Sequence, residues 1–133
     1  MKMIRVGIIA DDYTGACDAG VQFAKLGLET SVLTDPKRIK EVARDTEVLA
    51  IDTESRADPE ESAYAKVAEV TEEFKQTGVE FIYKKIDSTL RGNIGVELDS
   101  AIDTLNVSTA ILCPAYPKNG RITVGGFHLL DQN

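Results

Sequence analysis

The chain has 133 residues, of which 43% are hydrophobic and 28% are charged, with ten glycines and four prolines. This is the composition of one globular domain with a core of its own, and it excludes a disordered, collagen-like or disulfide-stapled chain. The net charge of −7 disfavours nucleic acid and anionic membrane surfaces as partners. No apolar run approaches the ~20 residues that cross a bilayer, so we expect a cytoplasmic protein.

Five short apolar runs alternate with helical patterns along the chain. The runs are nearly continuous and rich in β-branched residues, as in parallel strands buried on both faces; in chain order they span residues 3–10, 30–34, 48–51, 79–83 and 109–113. Between them, steps of three and four residues join Ala63, Val67, Val70 and Phe74 into one apolar stripe, and Ile94, Leu98, Ile102 and Leu105 into another. Asp35-Pro36 and Asp58-Pro59 have the pattern of helix starts.

This alternation predicts an α/β fold built from βαβ units. We expect a three-layer α/β/α domain with a mainly parallel sheet of about five strands and right-handed crossovers, occupying residues 1–133 without an internal linker. Cys17 falls in a predicted helix and Cys113 in a predicted buried strand, so we expect two free thiols that pack rather than react. With His128 as the only histidine, no zinc-ligand set can be assembled, and no metal site is predicted.

Four polar loops follow the predicted strands. Ligands of open parallel sheets bind outside the carboxyl ends of the strands, so these loops are the candidate site. They carry both acids and bases and span residues 11–15, 52–56, 84–93 and 114–121.

The first loop places Asp11 and Asp12 side by side at a strand end. We expect one of this pair, or Thr14, to cap the helix that follows. The other carboxylate, for which we favour Asp11, would bind a ligand hydroxyl or a magnesium ion.

The loop at residues 84–93 is the most informative. Arg91 stands beside Gly92 and Asn93 at a predicted helix start, a combination suited to a carboxylate or phosphate. Asp87 and Ser88 would bind sugar hydroxyls. The alternative is a solvated ion pair between Arg91 and either Asp87 or Glu97 on the next helix.

Arg56 and Arg121 lie in the second and fourth of these loops, and convergence of the loops favours both as ligand contacts. No nucleotide motif is present, because the order G-x-x-x-x-G-K-[ST] is missing and Gly7 alone makes no G-x-G-x-x-G fingerprint. A nucleoside triphosphate would therefore bind elsewhere.

Taken together and in this order, the four loops resemble the N-terminal domain of the four-carbon acid sugar kinase family. The resemblance spans essentially the whole chain, with Tyr13 where the family usually has Leu. The matching motifs are residues 9–16 with Asp18 and Gly20, Asp52-Thr53 with Ser55-Arg56, residues 84–93, and residues 114–117 with Gly120-Arg121.

The resemblance implies an ATP-dependent kinase acting on a threonate, erythronate or 3-oxo-tetronate type of acid. In that family the N-terminal domain binds the sugar acid, and a C-terminal domain, absent from this chain, binds ATP with Mg²⁺. Residues implied for substrate are Arg91, Gly92 and Asn93 at the carboxylate and Asp11, Asp12, Asp87 and Ser88 at the hydroxyls. Charge on the transferred phosphate would be neutralised by Lys85, Arg56 or Arg121. The residues implied for catalysis are Asp11, Asp12 and Lys85, and which acid serves as the base is left open.

Other classes of protein share parts of this pattern. A response-regulator receiver domain also has paired acids after strand one and an acid after strand three, matched by Asp11, Asp12 and Asp52, but its Ser or Thr after strand four and its Lys-Pro pair are missing. An aspartyl-phosphate hydrolase fits less well. A non-catalytic sugar-acid-binding module remains open, and the partner implied besides the small acid is a C-terminal kinase domain or a second copy of the chain.

Overall fold

The structure, a computed structural model, describes residues 4–130. A parallel sheet has the strand order β2-β3-β1-β4 and consists of β1 (Val6–Ala10), β2 (Thr30–Leu33), β3 (Val48–Asp52) and β4 (Phe81–Lys85). The helices are α1 (Tyr13–Ala24), α2 (Ile39–Val42), α3 (Glu60–Thr77) and α4 (Ile94–Leu105), with 3₁₀ turns at Pro36–Arg38 and Pro117–Asn119. A separate antiparallel hairpin pairs β5 (Arg121–Val124) with β6 (Phe127–Leu130).

Alternate residues of the central strands bury against opposite helical layers. Ile8 and Ala50 pack with Ala16 of α1, in a cluster that includes Ala10, Ala19 and Val48. Ile9 and its neighbours in β3 pack instead on α2, α3 and α4, in a cluster made of Ile4, Ile9, Ile39, Leu49, Ile51, Val67, Val70, Phe74 and Ala101. This two-sided burial explains why the strands read as continuous apolar runs. It confirms the predicted three-layer α/β/α architecture.

The two predicted helical stripes have different outcomes. All four stripe residues of α3 are buried, as predicted. In α4 the predicted stripe is only half-buried, and the buried face consists of Glu97, Ser100 and Ala101. Other residues of α4 form its contact with α3: Ala101 joins the apolar cluster that includes Val67 and Phe74, and the Ser100 hydroxyl donates to the Tyr64 carbonyl oxygen over 2.7 Å.

The strand predictions need three corrections. The fourth strand begins later than predicted and includes Lys84 and Lys85, which the sequence had placed in a loop. The fifth predicted strand, residues 109–113, is not a strand. These residues are exposed and pair with no strand among the described residues, so β4 is the edge strand of the sheet. Cys113 is consequently exposed rather than buried, whereas Cys17 is half-buried in α1. The first strand begins at Val6, so Ile4 and Arg5 of the predicted run lie before it, and Met3 lies outside the described residues.

Helices start within one residue of both predicted positions, at Pro36 and at Glu60, but only the first has the predicted capping side chain. Asp35 caps the 3₁₀ turn by accepting from the Lys37 amide. Asp58 does not cap α3, because its carboxylate binds the side chains of Ser62 and Lys66 instead. Within residues 4–130, no helix is both long and apolar enough to cross a bilayer.

Candidate functional site

Arg56 lies at the centre of the polar cluster at the carboxyl edge of the sheet. Its Nε and Nη2 donate to the two carboxylate oxygens of Asp11 at 2.8 and 3.0 Å, and its Nη1 donates to Asp12 at 2.8 Å. The carboxylate of Asp87 lies 4.0 Å from Nη2. These contacts, led by the bond to Asp11, raise the pKa of Arg56. The ends of β1, β3 and β4 therefore do bring Asp11, Asp12, Arg56 and Asp87 together; below we call these four residues with Arg91 the Arg56 cluster.

The two adjacent acids of the first loop divide their roles. Asp12 is the N-cap of α1, accepting from the Gly15 amide over 2.8 Å, so the prediction that one of the pair caps this helix is confirmed. Asp11 is 3% exposed, and Arg56 occupies both of its oxygens. That geometry does not suit the magnesium role considered for Asp11, and no group of three His, Cys, Asp or Glu within residues 4–130 is arranged to hold a metal ion.

Arg91 forms an ion pair with Asp87. The sequence had left a pair with Asp87 or with Glu97 open as the alternative to a ligand contact, and the structure has the first of these. Two guanidinium nitrogens donate to the two carboxylate oxygens at 2.9 Å each. Asp87 also accepts from the amide and hydroxyl of Thr89. Arg91, and then Thr89, hold the pKa of Asp87 far below its usual range despite partial burial. The Arg91 side chain is still 66% exposed and open to a ligand.

Gly92 packs directly against the Arg56 cluster. Its φ of +92° lies in the left-handed region, and a Cβ there would come within 2.9 Å of the Asp11 Oδ2 and 3.2 Å of the Arg56 Cγ. Only glycine fits this position without displacing one of these side chains.

Asn93 holds two loops together instead of presenting a free amide. Its Nδ2 donates to the carbonyl oxygens of Ser55 and Asp58, each over 2.9 Å. The side chain thereby ties the start of α4 to the loop that carries Arg56.

The remaining predicted residues lie at the margin of the cluster or apart from it. Lys85 Nζ donates to the Ile86 carbonyl oxygen over 2.7 Å. The Ser88 carbonyl oxygen accepts from His128 Nε2 over 2.7 Å, which joins the hairpin to this loop. Arg121 donates to the Asn119 carbonyl oxygen of its own turn, so the described contacts do not bring it to Arg56.

Two cavities open beside the cluster. The larger, about 560 Å³, is lined by Asp11, Asp12, Tyr13, Asp52, Glu54, Arg56, Ala57, Asp58 and Lys66. The smaller, about 430 Å³, shares Tyr13, Asp52, Glu54 and Lys66 with it. Burial raises the pKa of Asp52, and the charges of Glu54, Asp12 and Asp11 add to the rise, while the Glu54 amide opposes it.

Sequence reasoning missed two features of the site. Lys66 lines both cavities and forms an ion pair with Asp58 at 2.8 Å, but a lysine in the middle of an amphipathic helix carries no distinguishing signal. Lys84 and Glu97 form a buried ion pair at 2.6 Å. Glu97 was considered only as a surface partner of Arg91, because a helical charge is usually solvated.

A parallel α/β domain whose polar side chains gather at the carboxyl edge of its sheet has the arrangement of a ligand-binding domain. Residues 6–133 match the sequence model of a family described as the sugar-binding N-terminal domain. The chain belongs to this family. The alternative prediction of a response-regulator receiver domain is therefore wrong.

Several relatives have named activities or solved structures. The chain is 42% identical over 130 residues to a D-erythronate kinase of Heliobacterium modesticaldum and 42% identical over 132 residues to a D-threonate kinase of Salmonella typhimurium, covering 96% and 98% of this chain. It spans about 30% of the length of either relative. A crystal structure of a domain of unknown function from Bordetella bronchiseptica, a domain-swapped dimer with bound citrate, superposes with a TM-score of 0.93 at 35% identity, covering 98% of this chain and 34% of that one.

Proposed function

We propose that this chain is the sugar-acid-binding domain of an ATP-dependent kinase that phosphorylates a four-carbon sugar acid of the threonate, erythronate or 3-oxo-tetronate type. The observation that carries the proposal is the Arg56 cluster, in which acids and guanidinium groups converge at the carboxyl edge of the sheet. The names of the relatives support the class of acid. The citrate in the Bordetella structure, an acid with carboxylates and a hydroxyl, agrees with such a site. The protein would act as a cytoplasmic transferase of carbohydrate metabolism.

Arg91 is the group proposed to bind the substrate carboxylate. Its present partner is Asp87, whose side chain is only 12% exposed, whereas the guanidinium is 66% exposed. A ligand carboxylate therefore has to compete with Asp87, but it can reach the guanidinium from solvent and make the same two-pronged contact. The backbone N–H groups at the start of α4, beside Gly92 and Asn93, add positive potential for the same anion.

The acids of the cluster are proposed to bind the hydroxyls. Once Arg91 binds the ligand carboxylate, Asp87 keeps the hydrogen bonds from Thr89 and can accept further ones from hydroxyls beside Ser88. Asp12 is more exposed than Asp11, and its Oδ2 keeps a free lone pair beside the bond from Arg56. Asp12 is therefore better placed than Asp11 to receive the proton of the hydroxyl that attacks phosphorus.

Phosphoryl transfer depends mainly on positioning and on neutralising the charge of the moving group. Arg56 and Lys85 supply positive charge at this edge of the sheet, whereas the role predicted for Arg121 requires its side chain to leave the Asn119 carbonyl. ATP and Mg²⁺ would bind outside this chain, because the sequence has no phosphate-binding loop. The partner would be the remaining part of a longer protein or a second copy; the domain-swapped dimer of the Bordetella relative supports the latter.

The test is calorimetric titration with D-threonate, D-erythronate and citrate. Three forms of the chain are compared: wild type, Arg91→Ala and Arg38→Ala. Arg38 is a matched control because it also pairs with an acid, Glu41, on the exposed surface. We expect one four-carbon acid to bind, Arg91→Ala to weaken it about tenfold or more through loss of a charged hydrogen-bonding partner, and Arg38→Ala to leave it unchanged.

Absence of binding by every four-carbon acid to the folded wild-type chain, or equal affinity of Arg91→Ala and wild type, contradicts the proposed function. The kinase step is measured separately, as ADP release by a chain extended to the length of the relatives. Binding without ADP release in that longer chain would favour the non-catalytic binding module.

A further inference from the structure

A buried polar network lies behind the loop that carries Arg56. It consists of Thr53 and Ser55 from the segment after β3, Lys84 from β4 and Glu97 from α4, and we call these four residues the buried network. Ser55 and Glu97 are almost fully inaccessible to solvent, and the side chain of Lys84 is only 6% exposed.

The contacts within the buried network form one continuous path. Lys84 Nζ lies 2.6 Å from Glu97 Oε2, and the Ser55 hydroxyl donates to Glu97 Oε1 over 2.5 Å. The Ser55 and Thr53 hydroxyl oxygens lie 2.7 Å apart, and Thr53 Oγ1 lies 2.9 Å from the Ala10 carbonyl oxygen. Because the Ser55 proton goes to Glu97, the single Thr53 proton is shared between Ser55 and the Ala10 carbonyl oxygen. The path thus runs from α4 through the Arg56 loop to the end of β1.

The path ends on the backbone that positions Arg56. The amides of Ser55 and Arg56 both donate to the Asp11 carbonyl oxygen, at 3.1 and 3.3 Å. Arg56 follows Ser55 directly in sequence, so fixing the side chain of Ser55 fixes the point from which the guanidinium reaches Asp11 and Asp12. A buried ion pair is costly to desolvate and contributes little net stability, and in some proteins such a pair serves to fix one geometry.

We propose that Glu97, held by Lys84, is a positioning residue that acts through Ser55 to fix Arg56 in its binding geometry. The inference rests on the proposed function in so far as Arg56 holds Asp11 and Asp12, the acids proposed to bind the hydroxyls of the substrate. Glu97 and Ser55 would not touch the substrate, because both are buried behind the loop.

The test uses Ser55→Ala, which removes only the hydroxyl between Glu97 and the loop. The matched control is Ser100→Ala: Ser100 is equally buried, lies one turn from Glu97 on α4, and donates to the Tyr64 carbonyl oxygen away from Arg56. In ¹⁵N-labelled chains, the Arg56 Nε–H resonance reports the hydrogen bond to Asp11 without any ligand. We expect Ser55→Ala to shift this resonance and speed its exchange with water, and Ser100→Ala to leave both unchanged.

A second variant tests the same contact in case Ser55→Ala does not fold. Lys84→Met with Glu97→Leu replaces the ion pair by apolar side chains of similar volume, a change that buried pairs in other proteins tolerate, and it deprives Ser55 of its acceptor. We expect the same change in the Arg56 resonance. An unaltered resonance in the folded variants, or an equal shift in Ser100→Ala, would overturn the proposal.

The affinity for the four-carbon acid is the second readout. Ser55→Ala is expected to weaken binding at least fivefold more than Ser100→Ala does at comparable Tm, whereas equal affinities would count against positioning. If wild type binds no acid, the proposed function fails, while the Arg56 resonance still decides whether the buried network positions this side chain.

Discussion

Two aspartates at the same edge of the sheet have pKa shifts in opposite directions. Asp87 accepts from Arg91 and Thr89, which stabilise its charged form and lower its pKa. Asp52 is desolvated beside other acids, which raises its pKa. The same residue type thus prefers the charged form at the end of β4 and disfavours it at the end of β3.

Replacing Asp52 by Asn is expected to stabilise the fold at neutral pH. An acid whose pKa is higher in the folded state than its unfolded value of ~3.9 favours folding when protonated, and wild type loses that stability as pH rises through the folded pKa. Asn removes the charge and still accepts from the Glu54 amide, which now bonds to Asp52 over 2.8 Å. Thermal unfolding should show a higher Tm for Asp52→Asn at pH 7, with the difference shrinking to nothing below about pH 3.5.

The matched control for this prediction is Asp99→Asn, which makes the same chemical change at an exposed position of α4. It should leave Tm nearly unchanged at both pH values. A lower Tm for Asp52→Asn at pH 7 would show that the ionised carboxylate stabilises the fold.

At the scale of elements, the turn between β4 and α4 depends on close packing at Gly92. Gly92→Ala forces a Cβ against Asp11 and Arg56 and places alanine at a positive φ. We expect a loss of more than about 1 kcal/mol in the free energy of unfolding, together with weaker binding of the four-carbon acid. Chemical denaturation and calorimetric titration measure the two effects.

Gly95→Ala provides the contrast within the same segment. Gly95 lies in the first turn of α4, and nothing lies within 4 Å of the position its Cβ would take. Alanine there should stabilise the helix by about 0.5–1 kcal/mol instead of destabilising it. Similar losses from both variants would contradict the role given to Gly92.

The elements that were predicted correctly are those with a strong local pattern. The α3 stripe, the first three strands and the Asp12 cap each follow from periodicity or from neighbouring residue types. Residues 109–113 have the same apolar character as the true strands, but a strand also needs a paired neighbour, and local composition does not reveal one.

The residues of the candidate site could be predicted from the sequence, but the ion pairs that they form with one another could not. The rule that parallel strands bring their carboxyl ends to one edge predicted the convergence of Asp11, Arg56 and Asp87. Which acid meets which guanidinium depends on loop geometry, so the bidentate contact of Arg56 with Asp11 was missed. The pair of Lys84 and Glu97 was missed because burial of two charges requires a contact between separate elements.

At the scale of the whole molecule, replacing the buried ring of Phe74 tests how much of the free energy of unfolding comes from the core. Phe74 of α3 is fully buried, and its ring lies 3.0 Å from where a Cβ on Gly7 would stand. Phe74→Ala is expected to cost about 3–5 kcal/mol, a large share of the ~5–15 kcal/mol typical of a domain. Urea denaturation measures the loss.

Phe127 offers the same substitution on the hairpin, where the side chain is 73% exposed. Phe127→Ala should change the free energy of unfolding of the chain by no more than about 0.5 kcal/mol. A comparable loss from both variants would mean that the hairpin contributes to the same cooperative core as α3.

The position of β1 in the sheet also determines the order of events during synthesis. Val6 pairs with Val48 on one side and Phe81 on the other, so its partners follow it by about 40 and about 75 residues. At ribosomal rates of ~5–20 residues per second, the first strand waits roughly 4–15 s for its second neighbour. The first strand of this domain is therefore an apolar segment without its second partner, and prone to aggregation, until β4 has emerged.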